Sequence, residues 1–372
     1  MEDDNQVVVI DMGTASCKAG ITSIPLSGVP SRIIPTILGR PKVESILFNN
    51  TQVCFGVEAM RRRPICHLSY PMVNSQVVNW DEMKKFCSYI CQFELRIEPE
   101  YHPFLLADHP NATRSSREKI TQIMFEDFNV PLLFMANQGT CAMLGSNRNT
   151  GVVVQCGEGS TVVVPIYEGS VITHAIRSLE IGGSHITEAL LRGVRQENRF
   201  IPLNLGIGRA IKEKRAYVAH DFDKELEKFS TSYQKKTCIL PDEQIIDVGA
   251  EMFTATEILF QPSMIGLISP GLPEFVKESI LACDPSIHNL LFSNIVTAGG
   301  TANLPGLQKR LVKEIEAIEP GLVIGIVTEK DPIVSTWRGA ERIATSAGFI
   351  NVSISKQEYD DAGPSIVHRK CF

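Results

Sequence analysis

Val7-Val-Val-Ile-Asp-Met-Gly-Thr-Ala-Ser-Cys-Lys-Ala-Gly20 is the stretch on which the reading of this sequence turns. Its opening run of β-branched residues predicts a buried strand. The run leads into Asp11, then into a turn of small residues, Gly13, Thr14, Ala15 and Ser16, with Lys18 beyond it. A turn of this kind lets backbone N–H groups come close to an anion, and a lysine beside it can neutralise phosphate. Asp11 is placed to hold a hydrated Mg²⁺, an ion that takes few protein ligands and fills its shell with water and phosphate oxygens. Taken alone, the pattern is shared by many ordinary strand-end turns.

A second copy changes its weight. Gly151-Val-Val-Val-Gln-Cys-Gly-Glu-Gly-Ser-Thr-Val-Val-Val-Pro165 again runs a β-branched strand into a glycine turn, and a second apolar run follows as in a hairpin. Two such units, separated by about half of a globular chain, predict a duplicated fold whose two loops face each other and clamp a nucleotide's phosphates. A third glycine turn, Ala298-Gly-Gly-Thr301, closes the strand that starts at Asn294. Alternating strands and helices with glycine turns at the strand ends predict an α/β architecture with ligands at those ends.

Composition narrows the function classes. A chain of 372 residues predicts two large lobes, and 44% hydrophobic with 21% charged residues excludes wholesale disorder. A net charge of −6 argues against general nucleic-acid binding, which calls for a basic surface. The ten cysteines form no Cys-x-x-Cys pair and several lie in apolar runs, so they are expected as buried thiols of a reducing compartment. Acidic Glu2-Asp3-Asp4 is unlike a signal peptide, and no apolar run approaches the ~20 residues of a membrane span. The expectation is an intracellular soluble protein in which the Asn111-Ala-Thr113 sequon is chance.

Along the chain, Ser45–Gly56 carries a hairpin signal around Asn49-Asn50, and Arg61-Arg62-Arg63 reads as a solvated basic face. Trp80, Met83, Phe86, Cys87, Ile90 and Phe93 recur at helical spacing behind Asn79, predicting a capped helix over 80–95 with one buried stripe. Further helices are predicted over 117–128, from about Gln138 to Gly145, over 186–195, opening at Ile211–Lys214, from Pro285, and from Leu304 to Ile318. Pro241–Val248 reads as a hairpin strand.

Several further motifs occur in order. They are Tyr70-Pro71 with Asn79-Trp80-Asp81, Arg117–Glu126, Val164–Gly169, Ile211–Lys214, Leu259–Ser263, Ile354–Asp360 and the tail Gly363–Phe372. With the glycine turns, they make the whole chain resemble the actins and actin-related proteins. The resemblance implies an actin-like α/β fold of two ribonuclease-H-like lobes around a nucleotide cleft. It places a first large subdomain in 1–34, 71–145 and 335–372, and a first small one in 35–70. The second large subdomain falls in 146–181 and 268–334, and the second small one in 182–267.

The resemblance also implies a ligand, ATP or ADP with Mg²⁺ (or Ca²⁺). Phosphate contacts fall on Gly13, Thr14, Ala15, Lys18, Gly157, Glu158 and Gly159, and base and ribose contacts on Lys212, Glu213, Gly300 and Thr301. Asp11 and residue 155 would hold the metal through water, and Gln138 would position the attacking water. Departures from the family pattern matter here. The metal-side acid is Gln155, which brings no charge. The histidine that orders the attacking water is Val162, which cannot hold a proton. A lysine and a tyrosine near the base become Ile333 and Leu304. Nucleotide binding with slow or absent hydrolysis is the expectation, so the chain is at most a slow ATPase.

For partners, the resemblance implies other actin-family subunits or cytoskeletal proteins, with no nucleic acid and no membrane. The segment 42–55 is shorter than its counterpart in conventional actins, and the family's plug segment survives as Met264-Ile265-Gly266-Leu267. The groove that receives amphipathic helices falls on Leu144, Arg342, Ile343, Ser346, Gly348 and Val352. Arg342, Ser346 and Gly348 are expected to weaken groove-binding partners through a charge and lost apolar area. The first reading is a divergent cytoskeletal subunit of the cytoplasm that belongs to an actin-type filament or assembly. The alternative is a conventional self-polymerising ATPase. A sugar-kinase-type phosphotransferase is remote, because Asp11 is the only credible acid.

Overall fold

The computed structural model describes residues 6–23, 25–42, 53–197, 203–232, 236–239 and 245–371. The chain forms two compact units, Met1–Asn149 with Val334–Phe372, and Thr150–Ile333. Among the described residues no helix is long and apolar enough to cross a membrane.

The first unit is built on a six-stranded sheet. Its order is Ile354–Ser355, Leu132–Asn137, Phe104–Asp108, Val8–Met12, Ser16–Ile21 and Arg32–Pro35. Val8–Met12 and Ser16–Ile21 form an antiparallel hairpin, while Phe104–Asp108 and Leu132–Asn137 add parallel to it. The parallel strands are buried on both faces, which is why Phe104-Leu-Leu-Ala reads as an unbroken apolar run. Alternation sends Val8, Ile10, Phe104 and Leu106 to one core, and Val9, Leu105, Ala107 and Trp337 to the other.

Two glycines fix the helix that carries Gln138. Helices Gln138–Gly145 and Ser335–Ala344 pack together. A Cβ on Gly145 would sit 2.1 Å from the Ser335 carbonyl oxygen, and one on Gly339 would sit 1.7 Å from that of Cys141. Only bare backbone allows this approach. Trp337, fully buried, donates its indole N–H to the Val9 carbonyl at 3.2 Å and ties the pair to the sheet.

The helix predicted over 80–95 begins as expected, with the Asn79 side chain accepting from the Glu82 N–H. It is α-helical only over Trp80–Tyr89 and continues as a π-helix over Ile90–Leu95. The wider turn breaks the 3.6-residue stripe. Cys91 is buried in consequence, while Phe93, expected inside, is 65% exposed and stacks on Tyr89. The helix predicted over 117–128 starts earlier, at Arg114 behind a Thr113 cap, and also ends in a π-turn, Ile123–Asp127.

The second unit repeats the pattern of the first. Gly151–Cys156 and Thr161–Tyr167 form an antiparallel hairpin, and Ile295–Ala298 and then Ile326–Thr328 add parallel to its first strand. Ser170–Val171 and Arg177–Leu179 pair with the second. Helices Gly183–Glu197, Leu272–Leu281 and Leu307–Ile318 contribute to its core. The Ile211–Lys214 motif, expected to open a helix, lies in the last turns of Leu205–Arg215. That helix is capped by Asn204, and Gly206 and Gly208 disguise its start. Gly208 is required there, because a Cβ would meet the Leu191 side chain at 2.5 Å.

Most of the Ser45–Gly56 hairpin expectation lies outside the described residues. Cys54–Phe55 does form a strand, paired with Leu38–Pro41. Strand Ile245–Val248 pairs with Lys236–Ile239, and residues 240–244 between them lie outside the description. Arg61 and Arg62 are exposed, the latter paired with Glu58. All ten cysteines are buried free thiols, and burial pushes Cys87 and Cys91 up to about 12.

Candidate functional site

In the first unit the Asp11 carboxylate is the centre of a small polar group. The hairpin register sets Asp11 opposite Lys18, and the Lys18 Nζ lies 3.3 Å from Asp11 Oδ2. Gln138, the first residue of its helix, donates from Nε2 to the other carboxylate oxygen at 2.8 Å. Asp11 is only 4% exposed, so its charge is balanced locally by one cation and one amide. Gly13, Thr14 and Ala15 make the intervening turn, and Lys18 belongs to the returning strand. The Thr36 hydroxyl donates to the Gly13 carbonyl at 2.7 Å, and the Thr14 hydroxyl accepts the Ser75 N–H at 3.0 Å. A Cβ on Gly13 would lie 2.8 Å from the Ser16 carbonyl oxygen, which accounts for glycine there.

In the second unit four elements converge on Gly183. Lys212 Nζ lies 3.2 Å from Glu158 Oε2 and donates to the Gly183 carbonyl at 2.7 Å. The Thr301 hydroxyl donates to the Gly157 carbonyl at 2.8 Å, and the Gly183 N–H to the same oxygen at 3.0 Å. A Cβ on Gly183 would fall 2.3 Å from Glu158 Oε2 and 2.8 Å from both Lys212 Nζ and Thr301 Oγ1. Burial holds the Lys212 ammonium below the ordinary lysine range, and the Glu158 carboxylate pulls it back up. Gly159 is buried within the turn, and Gly299, at φ +89°, lets the strand from Ile295 pass close to the Cys156 carbonyl. Gly300 leaves open space, its nearest neighbour being Ile333 at 3.9 Å.

The sequence-predicted residues thus fall into two groups, one in each unit. Glu213 stands apart from both: it is exposed and pairs with Arg209 one turn back at 2.9 Å. Gln155 and Val162 are direct partners across the second hairpin, and Val162 is buried. Gly183, Thr36 and Ser75 were missed as site residues. The Gly182-Gly183 doublet was the only sequence signal for any of them.

Elsewhere, Arg342 is half-buried and donates to the Leu144 carbonyl, the last-turn oxygen of the Gln138 helix. A cation there complements the helix C-terminus. Ser346 and Gly348 are exposed. A surface groove of about 650 Å³ in the first unit, lined by Lys84, Lys85, Gln92, Glu98 and Asp127 among others, includes none of the predicted site residues.

Among the described residues, no group of three or more His, Cys, Asp or Glu side chains is arranged to hold a metal ion. Any divalent cation at Asp11 would therefore depend on water and on a ligand's own oxygens. A family model described as Actin matches residues 2–205 and again 202–372, which together run almost from end to end, and the chain belongs to the actin family.

Proposed function

We propose that this chain is a divergent actin-family subunit that binds ATP or ADP with a divalent cation, and hydrolyses ATP slowly. It serves as a structural part of an actin-type filament or multi-protein assembly of the cytoplasmic cytoskeleton. The observation that carries this reading is the contrast between the two hairpins. One presents an acid and a lysine at the turn, and the other presents an amide and a valine at the corresponding positions.

The polar groups of each unit suit a nucleotide. Gly13–Ala15 with Lys18 offer backbone and charge to phosphate, and the Glu158–Lys212–Thr301 group offers polar atoms near Gly300, which, unlike Gly183, leaves room beside it. Bound Mg²⁺ would supply charge neutralisation to the phosphates. Asp11 would hold it through water, Gln155 would accept from a metal-bound water without adding charge, and Gln138 would orient a water near the terminal phosphate. With Val162 apolar, the water cage lacks one polar wall, and poor positioning slows the reaction.

Phosphate release by the purified chain, with and without Mg²⁺, together with identification of the co-purifying nucleotide, tests the reading. Release as fast as that of a conventional actin would overturn it. In that case the second reading, a self-polymerising ATPase, gains. One observation favours that second reading: Met264, Leu267 and Ile268 are exposed around the left-handed Gly266, an apolar surface suited to a subunit contact. Concentration-dependent sedimentation with a defined critical concentration would establish it. The division of each unit into a large and a small subdomain belongs to the same proposal.

A further inference from the structure

Cys54 and Cys66 stand on the two strands that flank Leu38–Pro41 in a three-stranded sheet of the first unit. Register sets Cys54 opposite Gly39 and Cys66 opposite Pro41, so both side chains share one face. The strand between them would ordinarily hold two thiols apart. Bare Gly39 lets them lean together, since a Cβ there would lie 2.8 Å from Cys54 Sγ and 3.3 Å from Cys66 Cβ. The two sulfurs come to 4.0 Å within a small cluster that includes Ile37 and Ala59. Cys54 donates its S–H to the Gly39 carbonyl at 3.3 Å, so the hydrogen between the sulfurs belongs to Cys66.

That separation decides between two chemistries. A disulfide would close the sulfurs to about 2.05 Å and needs Cα atoms within about 7 Å of each other. Strands on either side of a third lie about 9.6 Å apart, so the bond would distort the sheet. Two metal–thiolate bonds of about 2.3 Å instead span about 4.0 Å when bent to near 120° and about 4.6 Å when straight. A cation between the sulfurs therefore needs only side-chain movement.

The donor set narrows the cation. Among the described residues no group of three or more His, Cys, Asp or Glu side chains is arranged to hold a metal ion, and zinc takes four ligands. A soft cuprous ion is matched to thiolates and is satisfied by two of them. Two thiolates around one such ion carry a single negative charge. Arg62 lies near enough to pull the Cys54 thiol down against the upward push of burial, and its cation faces that charge. Cys54 keeps 8% of its surface exposed, which gives an ion a short way in.

We propose that Cys54 and Cys66 form a two-coordinate site for a soft monovalent cation of the cuprous type. On binding, two sulfur–metal bonds form and both S–H bonds break. The two protons pass to solvent, and no electron changes hands. The site goes beyond the nucleotide reading and does not depend on it.

The test uses the full chain, reduced and under argon, titrated with Cu(I) supplied as its acetonitrile complex against the chromophoric chelator bicinchoninate. The unaltered chain should retain one equivalent. Cys54→Ala and Cys66→Ala should each weaken retention by about a hundred-fold, since losing a ligand exceeds the ten- to hundred-fold loss from disturbing a ligand's neighbour. Cys283→Ala, a buried thiol of the second unit, should change nothing. X-ray absorption at the copper edge should show two sulfur neighbours and no further ligand. No retained copper, retention unchanged in both first-unit variants, or three or more ligands would each overturn the site. The coordination number is read on the unaltered chain, so it decides the matter even if an alanine variant fails to fold.

Discussion

Gln155 faces Val162 across the second hairpin in the same relation that Asp11 holds to Lys18 in the first, each pair one step back from the pair that closes the turn. Directly opposed residues share a face and lie within side-chain contact. The first pair is an ion pair of a buried carboxylate and a partly buried lysine; the second has no net charge and one apolar member. One hairpin carries a charged couple at this position, and the other carries a neutral amide opposite an apolar side chain.

On the proposed nucleotide reading, the two residues of the second pair should act in two separable ways. Gln155→Asp should tighten Mg²⁺ binding by about ten-fold, equivalent to about 1.4 kcal/mol. Val162→His should raise phosphate release with little change in metal affinity. Because the residues are direct partners across the hairpin, the double variant should exceed the product of the single effects. Titration of metal and measurement of release on all four proteins check this. Additive effects would show that the pair does not act as a unit.

Gly183→Ala should disrupt the second-unit cluster. Its Cβ would need the space held by Glu158 Oε2, Lys212 Nζ and Thr301 Oγ1. Overpacking at such a site costs about 1–3 kcal/mol, and nucleotide affinity should fall with it. Denaturant unfolding and equilibrium binding give the two numbers. The neighbouring Gly300→Ala, which meets nothing closer than Ile333, should leave stability nearly unchanged.

Stability should respond to pH through two adjacent groups of opposite sign. Burial depresses His109 from 6.5 to about 4, so its share is fully present above pH 6.5 and is lost as pH falls toward 4. Burial raises Asp108 from 3.8 to about 6 against the pull of Arg117, so its share is present below pH 3.8 and is lost as pH rises toward 6. His109→Gln should therefore flatten the loss of stability on acidification from pH 6.5 to pH 5, and Asp108→Asn should steepen it. Urea midpoints for the three proteins across that range decide the signs.

The C-terminal segment should loosen when Arg117 is removed. Arg117 binds the Asp108 carboxylate through Nε and the Cys371 carbonyl through a terminal nitrogen, while Lys370 pairs with Glu358 and His368 with Glu118. Arg117→Gln should cost about 2 kcal/mol, the scale of a lost charge-assisted hydrogen bond. Hydrogen exchange over Pro364–Lys370 should accelerate selectively. Uniform acceleration through the unit would mean that the arginine stabilises the whole sheet instead.

The sequence revealed what local physics controls. The two strand–turn units, the Asn79 cap and the helix opening at Gln138 follow from β-branched runs, capping chemistry and glycine placement. Phe93 shows where that logic stops, since a π-turn shifts the buried face without leaving a mark in composition. Lys18 read as a residue beyond a turn, but strand register makes it the direct partner of Asp11. Gly183 read as a turn, although its importance comes from side chains that reach it from residues 25 to 118 positions away. Contacts of that separation are fixed by topology, which one sequence does not display.

The buried thiols have a use beyond packing. Seven cysteines (17, 54, 66, 87, 91, 141 and 371) belong to the first unit, and three (156, 238 and 283) to the second. Since each is covered in the closed fold, a reagent that modifies only solvent-accessible thiols reads out local opening of the unit that holds it. The chain thus carries its own set of reporters, able to show in one labelling experiment which unit breathes first and whether added nucleotide changes the order.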